Sequence, residues 1–186
     1  MREFLFIRHA KTAGNLARRY IGRTDEPLCE QGRAEAEALA ASGLLPPVTA
    51  LFSGSLLRCR QTAEILFPGL EPAICPLREI DFGVFEGKTA DELSDSLEYR
   101  QWLDSNCMGD IPGGDSVLAF KQRCVADFER IVAESTAASV ALVIHGGNIM
   151  AILERFGQPK RDFYDYHIPN CGFLLCGYAD GKLDIK

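Results

Sequence analysis

Three short apolar runs constrain the fold of this chain more strongly than any other feature of the sequence. They lie at residues 4–7, 49–52 and 140–144, and each is followed by a polar loop and then by a helical pattern. In the first and third runs the apolar residues are continuous, which is typical of strands that are buried on both faces of a parallel sheet. The sequence therefore predicts an α/β protein built from repeated strand, loop and helix units.

The rest of the pattern predicts a three-layer sandwich. Helices are predicted over residues 30–42, 56–67, 89–107 and 149–156, and a longer helix is predicted to be capped by Asp115 and to carry an apolar stripe from Val117 to Val132. A weak strand is predicted over 73–77, and a terminal hairpin over 173–178 and 182–185. We therefore expect a mostly parallel central sheet flanked by helices, with a C-terminal hairpin, in a single domain that covers residues 1–186.

Composition and charge limit the partners of such a domain. Apolar residues make up 47% of the chain and charged residues 25%, which is ordinary for a globular protein. The formal net charge of -6 argues against a nucleic-acid surface, because that needs a basic excess. No apolar run approaches the ~20 residues that span a bilayer. We expect no nucleic-acid or membrane partner, a monomer or homodimer, and only local attraction for an anionic ligand.

Seven cysteines are scattered along the chain, and none forms a C-x-x-C pair with another. An odd, dispersed set of cysteines favours reduced thiols and therefore a cytoplasmic location. The apolar run at residues 4–7 is too short for a secretory signal peptide, which agrees with that expectation. Acidic residues and histidines do not cluster with metal-ligand spacing, so we expect neither a metal nor another cofactor.

Residues able to carry chemistry follow several of the predicted strands. Arg8 and His9 end the first apolar run, Arg58 follows the second, Glu79 lies in a loop after the weak strand, and His145 ends the run at 140–144. In open α/β sheets, ligands bind outside the carboxyl ends of the strands. An isolated Arg-His pair is more often structural than catalytic, but the repeated placement of such residues at strand ends favours a shared site.

These residues belong to four signatures that stand in order along nearly the whole chain. The first is Arg8-His9-Ala10 with Thr12 and Asn15, the second covers residues 53–63 around Arg58, the third joins Glu79 and Gly83 to Glu86-Gly87, and the fourth is His145-Gly146. The set resembles the histidine phosphatase superfamily, whose fold is phosphoglycerate-mutase-like. The short chain most resembles the phosphatase branch that contains alpha-ribazole phosphatase.

The resemblance implies a metal-independent phosphomonoesterase acting on a small phosphorylated metabolite. By that resemblance His9 is the nucleophile that forms a phosphohistidine, and Glu79 is the general acid and base. Arg8, Arg58 and His145 would surround the phosphoryl oxygens, because charge is spread over those oxygens in the transition state. Further substrate and phosphate contacts are expected from residues that match or adjoin the signatures: Thr12, Asn15, Gly22 and Gly146.

Two other functions remain open from the sequence. A phosphoglycerate-mutase-type phosphotransferase would need extra basic residues for the substrate carboxylate, including a paired arginine, whereas the segment between the third and fourth signatures holds Lys88 and Arg100 among many acids. The second alternative is a phosphate-ester-binding regulatory protein that has lost turnover. It is suggested by Ala10, since the family has glycine at this position and a β-carbon there could crowd the phosphate.

Several other residues have a structural interpretation beside a functional one. Tyr99 and Trp102 could stack on the base of alpha-ribazole 5'-phosphate, or they could belong to the core. His167 is assigned a structural role near the hairpin, and Arg60 is expected to face away from Arg58. A basic loop could line the substrate entrance or only face solvent, and it contains Arg18, Arg19 and Arg23.

Overall fold

A computed structural model describes residues 2–186 and contains a seven-stranded mixed sheet. The strands are β1 (Arg2–Arg8), β2 (Ala50–Gly54), β3 (Ala73–Cys75), β4 (Ser139–Ile144), β5 (Gly157–Gln158), β6 (Phe173–Ala179) and β7 (Lys182–Ile185), in the order β3-β2-β4-β1-β6-β7-β5. Both pairings of β6 are antiparallel and the other four are parallel. The predicted mostly parallel sheet and the C-terminal hairpin are therefore confirmed.

Helices cover both faces of this sheet. They are α1 (Ala13–Leu16), α2 (Glu30–Ala41), α3 (Leu57–Leu66), α4 (Leu97–Asp104), α5 (Val117–Glu134) and α6 (Gly146–Phe156), with short 3-10 turns at Gly83–Phe85 and Phe163–Tyr166. The helices α2 and α3 lie on one face, and α5 and α6 lie on the other. This arrangement is the expected three-layer sandwich.

The central strand β1 shows why its apolar run is continuous. Its side chains alternate between the two faces of the sheet, because successive residues of a strand point in opposite directions. Phe4 and Phe6 pack in the cluster that contains α5 and α6, whereas Leu5 and Ile7 pack in the cluster that contains α2 and α3. All four side chains are buried, so each position of the run must be apolar.

The helix predicted over residues 89–107 is wrong in its first half. Only α4 is helical there, and it begins after Ser96, whose hydroxyl accepts a hydrogen bond from the backbone N–H of Tyr99. Before it, the Glu92 carboxylate accepts the N–H of Thr89 at 2.8 Å. Such side-chain bonds to the backbone compete with the helical pattern, so the polar residues of this segment form turns.

The predicted cap of the long helix is also wrong by one residue. Ser116 precedes α5 and its hydroxyl accepts the N–H of Ala119, so it is the N-cap in place of Asp115. The Asp115 carboxylate instead accepts the N–H of Asp81 at 3.0 Å and pairs with Arg123 at 2.9 Å. Asp115 therefore joins the start of α5 to the loop that follows Glu79.

The buried aromatic ring of Phe128 provides a test of how the α5 layer is held. Its centroid lies 5.2 Å from that of Phe4, 5.7 Å from Phe6 and 5.4 Å from Phe156. Replacing Phe128 by Ala is expected to lower the free energy of unfolding by about 3–5 kcal/mol, because it leaves a cavity between β1 and α6. Urea denaturation measures this value.

The matched control on the same helix is Leu118→Ala, since Leu118 is 65% exposed. Its free energy of unfolding should change by no more than about 0.5 kcal/mol. Equal losses in the two variants would contradict the packing described for this layer.

Candidate active site

A cavity of about 360 Å³ opens beside the carboxyl ends of β1 and β4. The register of these parallel strands pairs Arg8 with Ile144, so that His9 and His145 leave the sheet side by side. Polar groups that line the cavity come from several elements: Arg8, His9, Asn15, Glu79, Gly146 and His167. The strand ends therefore bring together residues that are more than 130 positions apart in the sequence.

The imidazole of His9 is held in one tautomer. Its Nδ1 lies 2.8 Å from the carbonyl oxygen of Ala10. A carbonyl can only accept, so Nδ1 carries the proton and Nε2 keeps its lone pair. Burial lowers the pKa of His9 to about 3, with a further lowering by the charge of Arg58. The ring is consequently neutral near pH 7, which suits a nucleophile.

His145 lies against His9 at the junction of β4 and α6. The two ring centroids are 5.3 Å apart at an interplanar angle of 70°. His145 occupies the N-cap position of α6, and its backbone N–H donates to Asn148 Oδ1. Burial and the nearby His9 hold the pKa of His145 well below its usual range. Its ring is therefore a neutral partner of His9.

The side chains of Arg8 and Arg58 both donate hydrogen bonds to backbone carbonyl groups. The terminal nitrogens of Arg58 donate to the carbonyls of Thr24 and Gly22, each at 2.7 Å. Arg8 Nη1 donates to the carbonyl of Ile168 at 2.9 Å. In both side chains Nε is buried and has no partner among residues 2–186. Each guanidinium is thus oriented by backbone carbonyls, and its buried Nε–H has no acceptor in the described residues. Arg8 lines the cavity, whereas Arg58 and His145 are fully buried and do not line it.

The Glu79 carboxyl lies at the N-terminal end of α6. It accepts the N–H of Gly147 at 3.2 Å and the N–H of Ile80 at 3.0 Å. Burial raises the pKa of Glu79 in spite of these hydrogen bonds and of the charges on Arg58 and Arg8. A carboxyl group with a raised pKa can hold a proton at the start of a reaction and release it later.

Glycines at the start of α6 allow this close approach. A β-carbon at Gly147 would overlap Glu79 Oε1, and one at Gly146 would lie 3.2 Å from Arg8 Nε. Both glycines line the cavity. The Gly146-Gly147 pair therefore lets the helix start, the acid and the arginine occupy one small space.

Three further residues were predicted to contact substrate or phosphate. Asn15 lines the cavity, whereas Thr12 and Gly22 do not. Asn15 lines the cavity, and its Oδ1 accepts from Thr12 N and Asn170 Nδ2, which leaves its amide NH₂ for a ligand. Thr12 is wrong as a phosphate contact, because it is buried as the N-cap of α1 and donates to Glu26. Gly22 is also wrong as a direct contact, since its N–H donates to Glu86 and its carbonyl accepts from Arg58.

The segment before β6 contributes residues that the sequence analysis missed. His167, interpreted there as structural, lines the cavity and its Nε2 lies 3.1 Å from Arg8 Nη1. Asn170 donates to the carbonyl of His9 at 3.0 Å. Because β6 runs antiparallel to β1, its first residues lie beside the last residues of β1. The hairpin that contains β6 was predicted, but its pairing with β1 was not. That pairing is the signal that would have located His167 and Asn170 at the site.

A large part of the cavity lining is aromatic. Its walls include Tyr20, Phe82, Trp102, Phe120, Phe163 and Tyr164. Trp102 is 7% exposed, and its Nε1–H is buried without a partner in the described residues. Tyr99 does not line the cavity, because it packs behind Tyr20 with the two hydroxyl groups 2.8 Å apart. Only Trp102 of the pair considered for stacking is available to a ligand.

Of the basic residues assigned to the entrance, Arg19 lines the cavity, whereas Arg18 and Arg23 do not. Arg19 is already paired, since it donates to the carbonyl of Gly87 at 2.6 Å and to Glu92 at 2.8 Å. Arg60 is exposed on the outer side of α3, as expected. The cavity therefore has little free positive charge apart from that of Arg8.

No group of three or more His, Cys, Asp or Glu side chains is placed to hold a metal ion in residues 2–186. None of the helices in this part of the chain has the length and apolar character needed to cross a bilayer. Independence of metal remains a prediction.

Comparisons with known proteins agree on one family. The family described as histidine phosphatase superfamily (branch 1) matches residues 4–186. A probable phosphoglycerate mutase GpmB from Escherichia fergusonii is 31% identical over 188 aligned positions, covering 98% of this chain and 87% of the relative.

Two solved structures show the same fold. A putative alpha-ribazole-5'-P phosphatase from Escherichia coli superposes with a TM-score of 0.87 at 21% identity, covering 100% of this chain and 94% of that one. A phosphoglycerate mutase from Thermus thermophilus gives a TM-score of 0.73 at 32% identity, covering 97% and 95%. The phosphoglycerate-mutase-like architecture is thereby confirmed.

The tautomer and pKa of His9 can be measured directly. We expect nitrogen NMR of the histidine side chains to show His9 protonated on Nδ1 and neutral from pH 8 down to pH 5, because its pKa is lowered to about 3. A His9→Gln variant assigns the signal. A titration midpoint near the ordinary histidine pKa of 6.5, or a proton on Nε2, would contradict this description of His9.

Proposed function

The chain belongs to the histidine phosphatase superfamily, and from this premise we propose that it hydrolyses a phosphate monoester through a phosphohistidine intermediate on His9. The observation that supports this most is the His9 tautomer, since its Nδ1 is bonded to Ala10 and its Nε2 has a free lone pair. Two buried arginine Nε–H donors, on Arg8 and Arg58, provide the complementary charge. The reaction needs a nucleophile and donors of this kind, and the site contains both.

In the first step, His9 Nε2 attacks phosphorus and the bond between phosphorus and the ester oxygen breaks. A neutral imidazole approaches the anionic phosphate without a negative charge of its own. Glu79, whose pKa is raised by burial, gives its proton to the departing oxygen. The products of this step are the free alcohol and a phosphoryl group on His9.

Arg8, Arg58, His145 and Asn15 stabilise the charge on the three phosphoryl oxygens during this transfer. Preorganised donors act most strongly where charge is spread in the transition state, and each contributes roughly 3–4 kcal/mol when it behaves like an oxyanion-hole group. Planar guanidinium groups suit phosphate geometry better than lysines do. This charge complementarity is also why the proposed reaction needs no metal or other cofactor.

In the second step, water attacks phosphorus and releases inorganic phosphate. Glu79 is now a carboxylate and takes a proton from the attacking water. The phosphorus–nitrogen bond breaks, and His9 Nε2 recovers its lone pair. One carboxyl group thus acts first as acid and then as base, and the enzyme returns to its initial protonation state.

Hydrolysis is favoured over a mutase reaction by the charges around the cavity. A phosphoglycerate has a carboxylate that needs a cation of its own. Of the arginine and lysine side chains in the described part of the chain, Arg8 and Arg19 line the cavity, whereas Lys88 and Arg100 do not. Arg8 is assigned to the phosphoryl group and Arg19 is paired with Glu92. The carboxylate of a three-carbon acid would therefore lack a free cationic partner.

The aromatic walls support a substrate with a flat, uncharged alcohol portion. Phe82 and Tyr164 line the cavity together with Trp102, whose unpartnered Nε1–H is a donor. Aromatic rings contribute dispersion and stacking energy to such a ligand. Alpha-ribazole 5'-phosphate is the candidate we favour, in agreement with the name of the Escherichia coli structure. This proposal for the alcohol portion is more specific than the proposal for the reaction.

The alternative of an inactive binding protein rests on Ala10, and the surroundings of this residue argue against it. The Ala10 side chain is buried in the apolar cluster with α2 and α3 and does not line the cavity. Its N–H donates to Thr62 Oγ1 at 2.9 Å, and its backbone φ is not positive. The β-carbon therefore lies away from the phosphate site, and alanine supports the same His9 tautomer.

The proposal extends to the setting of the enzyme. One seven-stranded sheet supplies the site, which supports a single catalytic domain over residues 1–186. All seven cysteines are free thiols, which favours a reducing compartment such as the cytoplasm. The partner is a small phosphorylated metabolite, with no nucleic acid or membrane involved, and the protein acts as a monomer or homodimer.

The decisive test of the proposed reaction is the substitution His9→Ala. We expect hydrolysis of aryl and alkyl phosphates to fall to background in this variant, because it lacks the ring nitrogen that attacks phosphorus in the proposed mechanism. Rapid denaturation of the native enzyme in alkali with ³²P-labelled substrate should trap label on His9. Assays with a chelator present test metal independence at the same time. Turnover by His9→Ala, or binding without any trapped label, would contradict the mechanism.

The role of Glu79 is tested by the leaving group. In Glu79→Gln, hydrolysis of alkyl phosphates should fall by about 10²–10⁴-fold, because their alcohols need a proton to depart. Hydrolysis of p-nitrophenyl phosphate should fall much less, because its phenolate leaves without one. The matched control is Glu98→Gln, an exposed acid of α4, which should behave as the native enzyme. Equal losses with both classes of ester would exclude Glu79 as the general acid.

A further inference from the structure

The carboxylate of Glu86 binds a short loop formed by residues 22–24. It accepts the N–H of Gly22 at 2.9 Å, the N–H of Thr24 at 3.0 Å and the Thr24 hydroxyl at 2.7 Å. Hydrogen bonds to a charged acceptor are stronger than those between neutral groups. Glu86 does not line the cavity, so these bonds do not serve direct contact with a ligand.

Two carbonyl groups of the same loop accept hydrogen bonds from the side chain of Arg58. The carbonyl of Gly22 accepts from Arg58 Nη2, and that of Thr24 accepts from Nη1, each at 2.7 Å. Arg58 is fully buried, and none of the salt bridges within residues 2–186 includes it. The direction of its guanidinium therefore depends on two loop carbonyls, and its Nε remains free of partners in the described chain.

Two further contacts fix the position of this loop. A β-carbon at Gly22 would overlap the carbonyl oxygen of Ile80, so the loop packs directly on the backbone next to Glu79. The following residue, Asp25, accepts the N–H of Leu57 at 2.7 Å, at the start of the helix α3 that carries Arg58. Residues 22–25 thus contact both the side chain of Arg58 and the helix from which it projects.

We infer that Glu86 is a positioning residue for phosphoryl transfer, acting through the loop at residues 22–24 to hold the buried guanidinium of Arg58 in the orientation that the two loop carbonyls define. The inference rests on the proposed function, in which Arg58 binds the phosphoryl group. Without the carboxylate, the N–H groups of Gly22 and Thr24 lose their acceptor and the loop shifts towards water. The two carbonyls then no longer define the orientation of Arg58.

We expect substitution of Glu86 to weaken the interaction of the site with the phosphoryl group. A misplacement of about 1 Å can cost on the order of 10²-fold in rate, so Glu86→Ala should lower kcat/KM by roughly 10²-fold and weaken inhibition by inorganic phosphate. Glu86→Gln keeps one acceptor oxygen for the loop, so its decrease in kcat/KM should be intermediate. Glu64→Gln, an exposed acid on α3, is the matched control and should leave both values unchanged.

A double-mutant cycle with Arg58→Ala separates positioning from general destabilisation. If Glu86 acts through Arg58, Glu86→Ala should add little to the loss already caused by Arg58→Ala, because interacting sites are not additive. Additive losses, or a Glu86→Ala variant with native kcat/KM, would overturn the inference while leaving the proposed reaction intact. Native activity in Arg58→Ala would instead contradict the proposed role of Arg58 itself. If Glu86→Ala does not fold, Glu86→Gln in the same cycle decides between these outcomes.

Discussion

The parallel pairing of β1 with β4 is the interaction on which the rest of the site depends. It places the last residue of β1, Arg8, opposite Ile144, and the N–H of His9 donates to the Ile144 carbonyl at 3.0 Å. Both strands then leave the sheet at the same level, each with a histidine. The contact between the two imidazoles follows from this register, because a shift by one residue would turn every side chain of β1 to the opposite face. The buried apolar runs that stabilise the sheet therefore also set the geometry of the chemistry.

Orientation by carbonyls explains how the arginines keep their charge available. A buried guanidinium paired with a carboxylate would be neutralised, and an arriving phosphate would have to compete with that partner. Arg8 and Arg58 are instead held by the carbonyls of Ile168, Gly22 and Thr24. Neutral acceptors satisfy individual N–H groups without cancelling the positive charge. The same charges help to keep His9 unprotonated, so the groups that attract the phosphate also maintain the nucleophile.

The sequence was sufficient for the parts of the fold that depend on local pattern. Continuous apolar runs, glycine turns and four ordered signatures located the strands and the residues Arg8, His9, Arg58 and His145, because each lies in or next to its own recognisable segment. The roles of Thr12 and Gly22 could not be inferred in the same way. A signature places a residue near the site but does not show which of its atoms faces the ligand. His167 was misassigned for a different reason, since its position depends on the long-range pairing of β6 with β1.

The two ends of the cavity are built by different parts of the chain, and this division separates reaction from specificity. Strand ends and the start of α6 supply the phosphoryl end, where positions are fixed by sheet register and by backbone hydrogen bonds. The aromatic end combines connecting segments that contain Tyr20, Phe82 and Phe163 with Trp102 of α4 and Phe120 of α5. Such segments can change in length and composition without disturbing the sheet. In the proposed reaction, the phosphoryl chemistry therefore depends on the core of the fold, whereas the contacts to the alcohol also involve the connecting segments.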